Sequence, residues 1–391
     1  MLKMSDQRVE ALAQVRIAVM ASAKARRQAL AKHLSDRGIA VVCQLDFSLD
    51  DLRSIQDCQV QALIVDLIEK DESNETVIDA LYDIDDIPVL FHDSSSASVA
   101  QDAGMLWVKH LVDKLEKIAP EHAVSVEDVP TLLAAVAEVE PEVPTLEPVS
   151  SQKNVPALHD VVEQGQAEQE VEPLQLEVID EAVLKQCHQG IKCVWVLAAS
   201  IGGPLALKRF LGEVKQAEPM AIVVAQHIGG SFVSILAEQL RACSVYPVKV
   251  MEDGERLQAS QISVVPSDQD FSMNKHGYIR LQPRKTFEGY LPCIDRVVAE
   301  LLPVFHNMMN MIVFTGMGDD GAQAAKMVSR SGGRVWVQEP KSCVVGTMPK
   351  KVIEQGIEHY RGTPEALAEK FVEYSQLQSS PSSISGTEAT Y

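Results

Sequence analysis

Hydrophobic and polar positions follow a repeating alternation in the N-terminal part of the chain. Over about 105 residues, amphipathic segments separate five short apolar runs: VRIAVM, IAVVCQL, QALIVDL, IPVLFHD and MLWV. Apolar runs of this length are typical of buried strands, and the segments AKARRQALAKHLSDRG, NETVIDALYDI and KHLVDKLEKI carry the helical spacing of apolar residues. The alternation predicts parallel strands joined by helices, and hence a flavodoxin-like α/β domain over residues 14–118.

Residues 183–374 show the same alternation with more strongly apolar strands. The runs VWVLAA, AIVVAQ and MNMIVFTG are each followed by a glycine-containing turn and a helical pattern. Parallel strands covered by helices on both faces have continuous apolar sequences of this kind. We therefore predict a larger, three-layer α/β domain with a mostly parallel sheet.

The segment between these domains has a different composition. The chain carries a formal charge of −20, and residues 119–181 contain fifteen acidic residues against a single lysine, Lys153, together with many prolines. Such a segment buries too little apolar surface to order itself, so we predict a disordered acidic linker. The serine-rich residues 375–391 are predicted to form a disordered tail. The charge balance also argues against nucleic-acid binding.

Composition further narrows the class of protein. No apolar run reaches the length of a membrane span, and the first residues, MLKMSDQRVEALAQV, lack the apolar core of a signal peptide. The seven cysteines are odd in number and form no CxxC pair, which argues against a disulfide framework or a zinc site. We expect a cytoplasmic protein with reduced thiols, no metal and no cofactor.

Three residues at predicted strand ends form a candidate catalytic group. Ser200 lies on the tight turn between VWVLAA and the next helix, His227 follows AIVVAQ, and Asp320 lies in the loop FTGMGDDGA. Taken singly, each has an ordinary explanation as a helix cap, a strand-end histidine and a turn former. Together they would meet at the carboxyl edge of one parallel sheet, where α/β proteins place their sites.

Seven sequence blocks in this part of the chain resemble one family, the chemotaxis protein-glutamate methylesterases, which also deamidate receptor glutamines. The blocks are ASIGGP, QHIGGSF, EDGERL, VVPSD, PCID, TGMGDDGA and VQEPKSCVVGTMPKKVIEQG, in the family's order. The resemblance implies that Ser200 is the nucleophile, His227 the base and Asp320 the orienting acid. It also implies methyl-accepting chemoreceptor helices as the substrate, with a sensor histidine kinase as a further partner.

The amides of Ile201 and Met317 are our candidates for the donors that stabilise an oxyanion. The chain departs from the family at two nearby positions. Ile201 stands where a threonine usually follows the nucleophile, and Asp270 stands where a histidine is common.

The N-terminal domain resembles a response-regulator receiver, the usual partner of this catalytic domain. Asp66 ends the third apolar run, at the place of the phosphoacceptor, but the first strand ends in Ala21-Ser22-Ala23 without an acidic residue. A single carboxylate is too little for a magnesium site. We therefore expect a degenerate receiver that is not phosphorylated at Asp66.

Two other functions remain open on the sequence alone. The domain could be a catalytically silent binding module of a chemosensory array, a reading supported by the changes at Ile201 and Asp270. It could also bind a nucleotide through the SIGGP turn, although the turn lacks both the G-x-G-x-x-G spacing and the lysine of a P-loop.

Overall fold

The computed structural model describes residues 15–36, 38–67, 75–84, 87–93, 188, 190–215, 219–283 and 291–379. The predicted acidic linker, the predicted fifth strand MLWV and the helix after it lie outside the described residues.

The N-terminal domain contains a four-stranded parallel sheet with the strand order β2-β1-β3-β4. Its elements are β1 (Arg16–Ala21), α1 (Lys24–Ser35), β2 (Ala40–Leu45), α2 (Leu49–Arg53), a 3-10 turn (Ser54–Cys58), β3 (Ala62–Leu67), α3 (Glu75–Tyr82) and β4 (Val89–Asp93). The parallel α/β prediction is confirmed. The short helix α2 was not predicted, and it begins where the Ser48 hydroxyl accepts the Asp51 N–H.

One pair of cysteines contradicts the expectation that all thiols are reduced. Cys43 on β2 and Cys58 at the end of the 3-10 turn form a disulfide, with their Cα atoms 6.5 Å apart. The spacing of cysteines along the chain could not reveal this pair, because only the fold brings the turn alongside β2. Four further cysteines of the described residues are not joined in a disulfide: Cys193, Cys243, Cys293 and Cys343.

The C-terminal domain is built on a seven-stranded parallel sheet with the order β13-β12-β11-β5-β6-β8-β7. An antiparallel hairpin, β9–β10, stands apart from it. The elements are β5 (Val194–Ala199), α4 (Gly203–Glu213), β6 (Ala221–Gln226), α5 (Gly230–Cys243), β7 (Val248–Val250), β8 (Gln261–Val264), β9 (Gln269–Met273), β10 (Ile279–Pro283), α6 (Ile294–Phe305), a 3-10 turn (His306–Met308), β11 (Met309–Val313), α7 (Ala322–Arg330), β12 (Val335–Gln338), a 3-10 turn (Pro340–Ser342), α8 (Thr347–Ile353), β13 (Tyr360–Gly362) and α9 (Pro364–Ser379).

Helices cover both faces of this sheet, as the continuous apolar strands predict. On β5, Trp195 and Leu197 pack into an apolar cluster with α4, α5 and α9. Val194 and Val196 of the same strand pack into a second cluster with α6, α7 and α8. Successive side chains of a strand point to opposite faces, so a strand between two helical layers needs apolar residues at every position.

The last helix extends beyond its predicted boundary. We placed the end of the domain at residue 374, but α9 continues to Ser379, so the start of the predicted tail is helical. None of the described helices is long and apolar enough to cross a membrane.

Helix α3 and strand β4 of the N-terminal domain pack against α4 and α5 of the C-terminal domain. The rings of Phe91 and Phe232 lie 4.7 Å apart between centroids. The Gln239 amide donates to the Asp79 carboxylate beside them. Apolar residues of both domains belong to one buried cluster.

Candidate active site

Three neighbouring strands carry the predicted site residues to one edge of the C-terminal sheet. Strand β5 lies between β11 and β6, and Ala199 at its end is paired in register with Gln226. Ser200 and His227 are therefore the next residues on adjacent parallel strands, whose backbones are about 4.8 Å apart. Asp320 comes from the loop after β11. The sheet order therefore brings the loops that carry the three residues to one edge.

Ser200 lies on a tight turn that opens helix α4. Its side chain is buried, and its N–H donates to the Thr315 carbonyl across 3.0 Å. Gly202, the N-cap of α4, has a φ of +76°, which a residue with a side chain adopts only under strain. Gly316 passes so close that a Cβ there would lie 2.7 Å from the Ser200 Cβ. Both glycines are thus required by the turn around the serine.

His227 and Asp320 form a buried hydrogen-bonded pair. The imidazole Nε2 lies 2.8 Å from Asp320 Oδ2, and the two side chains are only 5% and 2% exposed. The His227 backbone N–H donates to the Ala199 carbonyl across 2.9 Å, which holds the histidine beside the end of β5. Low exposure strengthens this contact because water competes with it poorly.

The Asp320 carboxylate receives further donors from the start of helix α6. The Ile294 N–H donates to Oδ2 across 2.8 Å, and the Asp295 N–H donates to Oδ1 across 2.9 Å. Burial by itself raises the pKa of this carboxyl, but the hydrogen bond and charge of His227 and the two amides outweigh it and lower the pKa below its usual value. Asp320 is therefore ionised at neutral pH.

Buried polar residues that were not predicted from the sequence hold these loops. The Gln226 amide donates to the Ser200 carbonyl across 2.7 Å and to the His227 carbonyl across 3.0 Å. The Thr315 hydroxyl donates to the Ile201 carbonyl and accepts the Val345 N–H. The available signal was a polar residue at the end of an otherwise apolar strand, immediately before each glycine-rich loop.

The two predicted oxyanion donors lie at the ends of β5 and β11. Among the hydrogen bonds of the described residues, neither the Ile201 N–H nor the Met317 N–H donates to a protein acceptor. The side chains of both residues are buried.

Asp270, the second residue that departs from the family pattern, has a charged partner within the protein. Asp270 accepts a hydrogen bond from the Arg296 guanidinium across 3.3 Å. The pair lies beside a small cleft that is also lined by Phe271, Pro292 and Cys293.

Asp66 of the N-terminal domain has a very different surrounding. Its carboxylate is buried and accepts two hydrogen bonds from Arg26, at 3.1 and 3.3 Å. This set does not suit Mg²⁺, which requires several oxygen ligands, because a guanidinium already lies on both carboxylate oxygens. Among the described residues no group of three or more His, Cys, Asp or Glu could hold a metal ion.

The C-terminal part is an α/β domain with a group of buried polar residues at the carboxyl ends of its parallel strands, where folds of this class place their sites. Residues 195–371 match the model of the CheB methylesterase family. This part of the chain is therefore similar to CheB methylesterases.

Named relatives match a part of the chain of similar length. A protein-glutamate methylesterase/protein-glutamine glutaminase 1 of Pseudomonas aeruginosa is 30% identical, over 41% of this chain and 44% of the relative. A protein-glutamate methylesterase/protein-glutamine glutaminase 2 of Photobacterium profundum is 32% identical, over 45% of each chain. The match therefore spans less than half the length of these relatives. The solved CheB methylesterase catalytic domain of Thermotoga maritima is 29% identical, covering 46% of this chain and 98% of that one, with a TM-score of 0.44.

Proposed function

We propose that this protein is a chemosensory protein-glutamate methylesterase that also deamidates receptor glutamines, acting through Ser200, His227 and Asp320. The observation that carries the proposal is the 2.8 Å contact between His227 and Asp320 at the strand edge where Ser200 lies. Its location within the residues that match the CheB methylesterase family supports this reaction over other acyl transfers.

The reaction begins with the attack of the Ser200 Oγ on the γ-carbonyl of a glutamyl methyl ester. His227 takes the serine proton as the bond forms, and Nδ1 is the nitrogen for this task because Nε2 faces Asp320. The imidazolium then protonates the departing methoxide, so methanol leaves and an acyl-enzyme remains. Water repeats the same steps and releases the glutamate and the serine. With a glutamine substrate, ammonia would leave in place of methanol.

Asp320 supports both steps through its charge. An ionised carboxylate on Nε2 holds the imidazole in the tautomer that accepts a proton at Nδ1, and stabilises the charged form that follows. The amides of Ile201 and Met317 are the proposed donors to the oxyanion, each contributing about 3 kcal/mol by comparison with other acyl-transfer enzymes.

The proposed substrate is the cytoplasmic helical region of methyl-accepting chemoreceptors, which implies a cytoplasmic protein. The N-terminal domain is proposed to be a degenerate receiver, in contact with a sensor histidine kinase but not phosphorylated at Asp66. The pairing of Asp66 with Arg26 supports this reading.

The test is methanol release from radiolabelled, methylated receptor membranes by the full-length protein. We expect release by the wild type, none above background by Ser200→Ala, and normal release by Ser272→Ala. Ser272 is a suitable control because its hydroxyl contacts the Arg280 carbonyl in the β9–β10 hairpin. No release by the wild type from receptors of its own organism would favour the catalytically silent binding module.

A further inference from the structure

Two helix starts near the site are held by carboxylates in a reciprocal arrangement. Asp320, just before helix α7, accepts the N–H groups of Ile294 and Asp295 at the start of α6. Asp295 in turn accepts the N–H groups at the start of α7, from Gly321 at 3.0 Å and Ala324 at 2.7 Å, both on its Oδ1. The Asp320 carboxylate therefore caps α6, which contains Asp295, and the Asp295 carboxylate caps α7, which follows Asp320.

This arrangement fixes the segment that contains Asp320 on both sides. The Asp295 side chain binds the residue immediately after Asp320, and the Asp295 backbone binds the Asp320 carboxylate itself. Gly321 has a φ of +95°, so the chain turns sharply between the two contacts. A loop that turns through a glycine has little stiffness of its own, and its geometry depends on such tertiary bonds.

We infer that Asp295 is a positioning residue for the reaction: its carboxylate, by binding the Gly321 and Ala324 amides, holds Asp320 at the distance and angle from His227 that catalysis requires. The inference rests on the proposed function for its kinetic part. Asp295 makes no contact with the reacting atoms in this role and acts only through Asp320.

The charge state of Asp295 gives this inference a separate signature. Burial raises the pKa of the Asp295 carboxyl to about 6, with the Ala324 and Gly321 amides opposing and the Asp320 and Asp319 carboxylates adding to the rise. Among the described residues, the titratable groups that act on it are these two aspartates of the loop before α7; the Cys293 thiol at the start of α6 also senses its charge. Asp295 thus gains a proton as the pH falls through about 6.

The kinetic test compares Asp295→Ala with Asp295→Asn in the full-length protein. We expect Asp295→Ala to lower kcat for methanol release by about 10- to 100-fold with KM little changed, because a small misplacement of a catalytic group has effects of this size. Asp295→Asn keeps an oxygen for both amides and should retain kcat within about threefold at pH 8. The ratio of wild-type to Asp295→Asn kcat should approach one as the pH falls through about 6. Asp319→Asn, at an exposed carboxylate of the same loop, should match the wild-type kcat at pH 8, where Asp295 is ionised with or without the Asp319 charge.

A wild-type kcat in Asp295→Ala, or an equal loss in Asp295→Asn and Asp295→Ala, would overturn the inference. A second measurement is independent of turnover: the low-field NMR signal of the proton between His227 and Asp320. We expect this signal to move in Asp295→Ala and to stay in Asp295→Asn. If Asp295 only stabilised the fold, Tm would fall while the signal of the folded protein stayed in place. If the wild type released no methanol, the proposed function would fail and the NMR result alone would decide the positioning role.

Discussion

Asp66 and Asp320 occupy similar places in two different sheets. Each is a buried aspartate at the carboxyl edge of a parallel sheet, and each is bound by a nitrogen-containing side chain. Asp320 is bound by an imidazole and by two helix amides, whereas Asp66 is held on both oxygens by a guanidinium. An imidazole can gain and lose a proton near neutral pH, but a guanidinium keeps its charge.

We propose that this difference makes Asp320 a reactive aspartate and Asp66 an inert one. The Asp320 carboxylate can respond to a change of charge on its partner during a reaction. The Asp66 carboxylate is bound on both oxygens by a guanidinium that keeps its positive charge, so a phosphoryl group would have to displace Arg26 first. Position at a strand end is therefore a weak guide to the role of an aspartate, and the partner decides it.

The largest expected effect concerns the reactive aspartate. Asp320→Asn should lower kcat for methyl-ester hydrolysis by roughly 10³- to 10⁴-fold, because an amide at this position favours the wrong imidazole tautomer. Single-turnover and steady-state methanol release would both report the loss. Asp319→Asn removes the same charge from the neighbouring exposed residue and serves as the control. If Asp320→Asn lowered kcat by less than tenfold, Asp320 would have no catalytic role and its contrast with Asp66 would fail.

The next effect concerns the inert aspartate. Arg26→Ala removes the guanidinium from a buried carboxylate and should lower the free energy of unfolding by about 2 kcal/mol, since the arginine is itself partly exposed. Urea denaturation followed by circular dichroism would measure it. Adding Asp66→Ala to Arg26→Ala should recover part of the loss. Equal stability of the wild type and Arg26→Ala would mean that the pair contributes nothing to the fold.

The last prediction is that Asp66 is not phosphorylated, so no change is expected. Incubation of the full-length protein with acetyl phosphate and Mg²⁺ should leave Asp66 without phosphate, because the guanidinium is bound to both carboxylate oxygens. Intact-mass measurement would detect the product. Stoichiometric phosphate at Asp66 would contradict the degenerate-receiver proposal and remove the contrast with Asp320.

The candidate site residues at the carboxyl edge of the C-terminal sheet could be predicted because the sequence patterns that mark them are local. Continuous apolar runs indicate buried parallel strands, and a glycine-rich turn directly after such a run places the next polar residue at the carboxyl edge. Ser200, His227 and Asp320 all have this signal. Contacts between side chains of distant elements leave no such local pattern in the sequence. The contacts of Asp295 with Gly321, of Arg26 with Asp66 and of Cys43 with Cys58 join residues from separate elements.

The sequence by itself determined the α/β class, the two sheet domains and the residues that reach the strand ends, since apolar periodicity and turn chemistry act over a few neighbouring residues. Only the tertiary structure decided that β11 lies beside β5. It also decided that Asp320 accepts hydrogen bonds from the start of α6 and that Asp66 accepts them from Arg26. These outcomes depend on how helices and strands pack across long sequence separations. Such packing is a property of the assembled core and of no single segment.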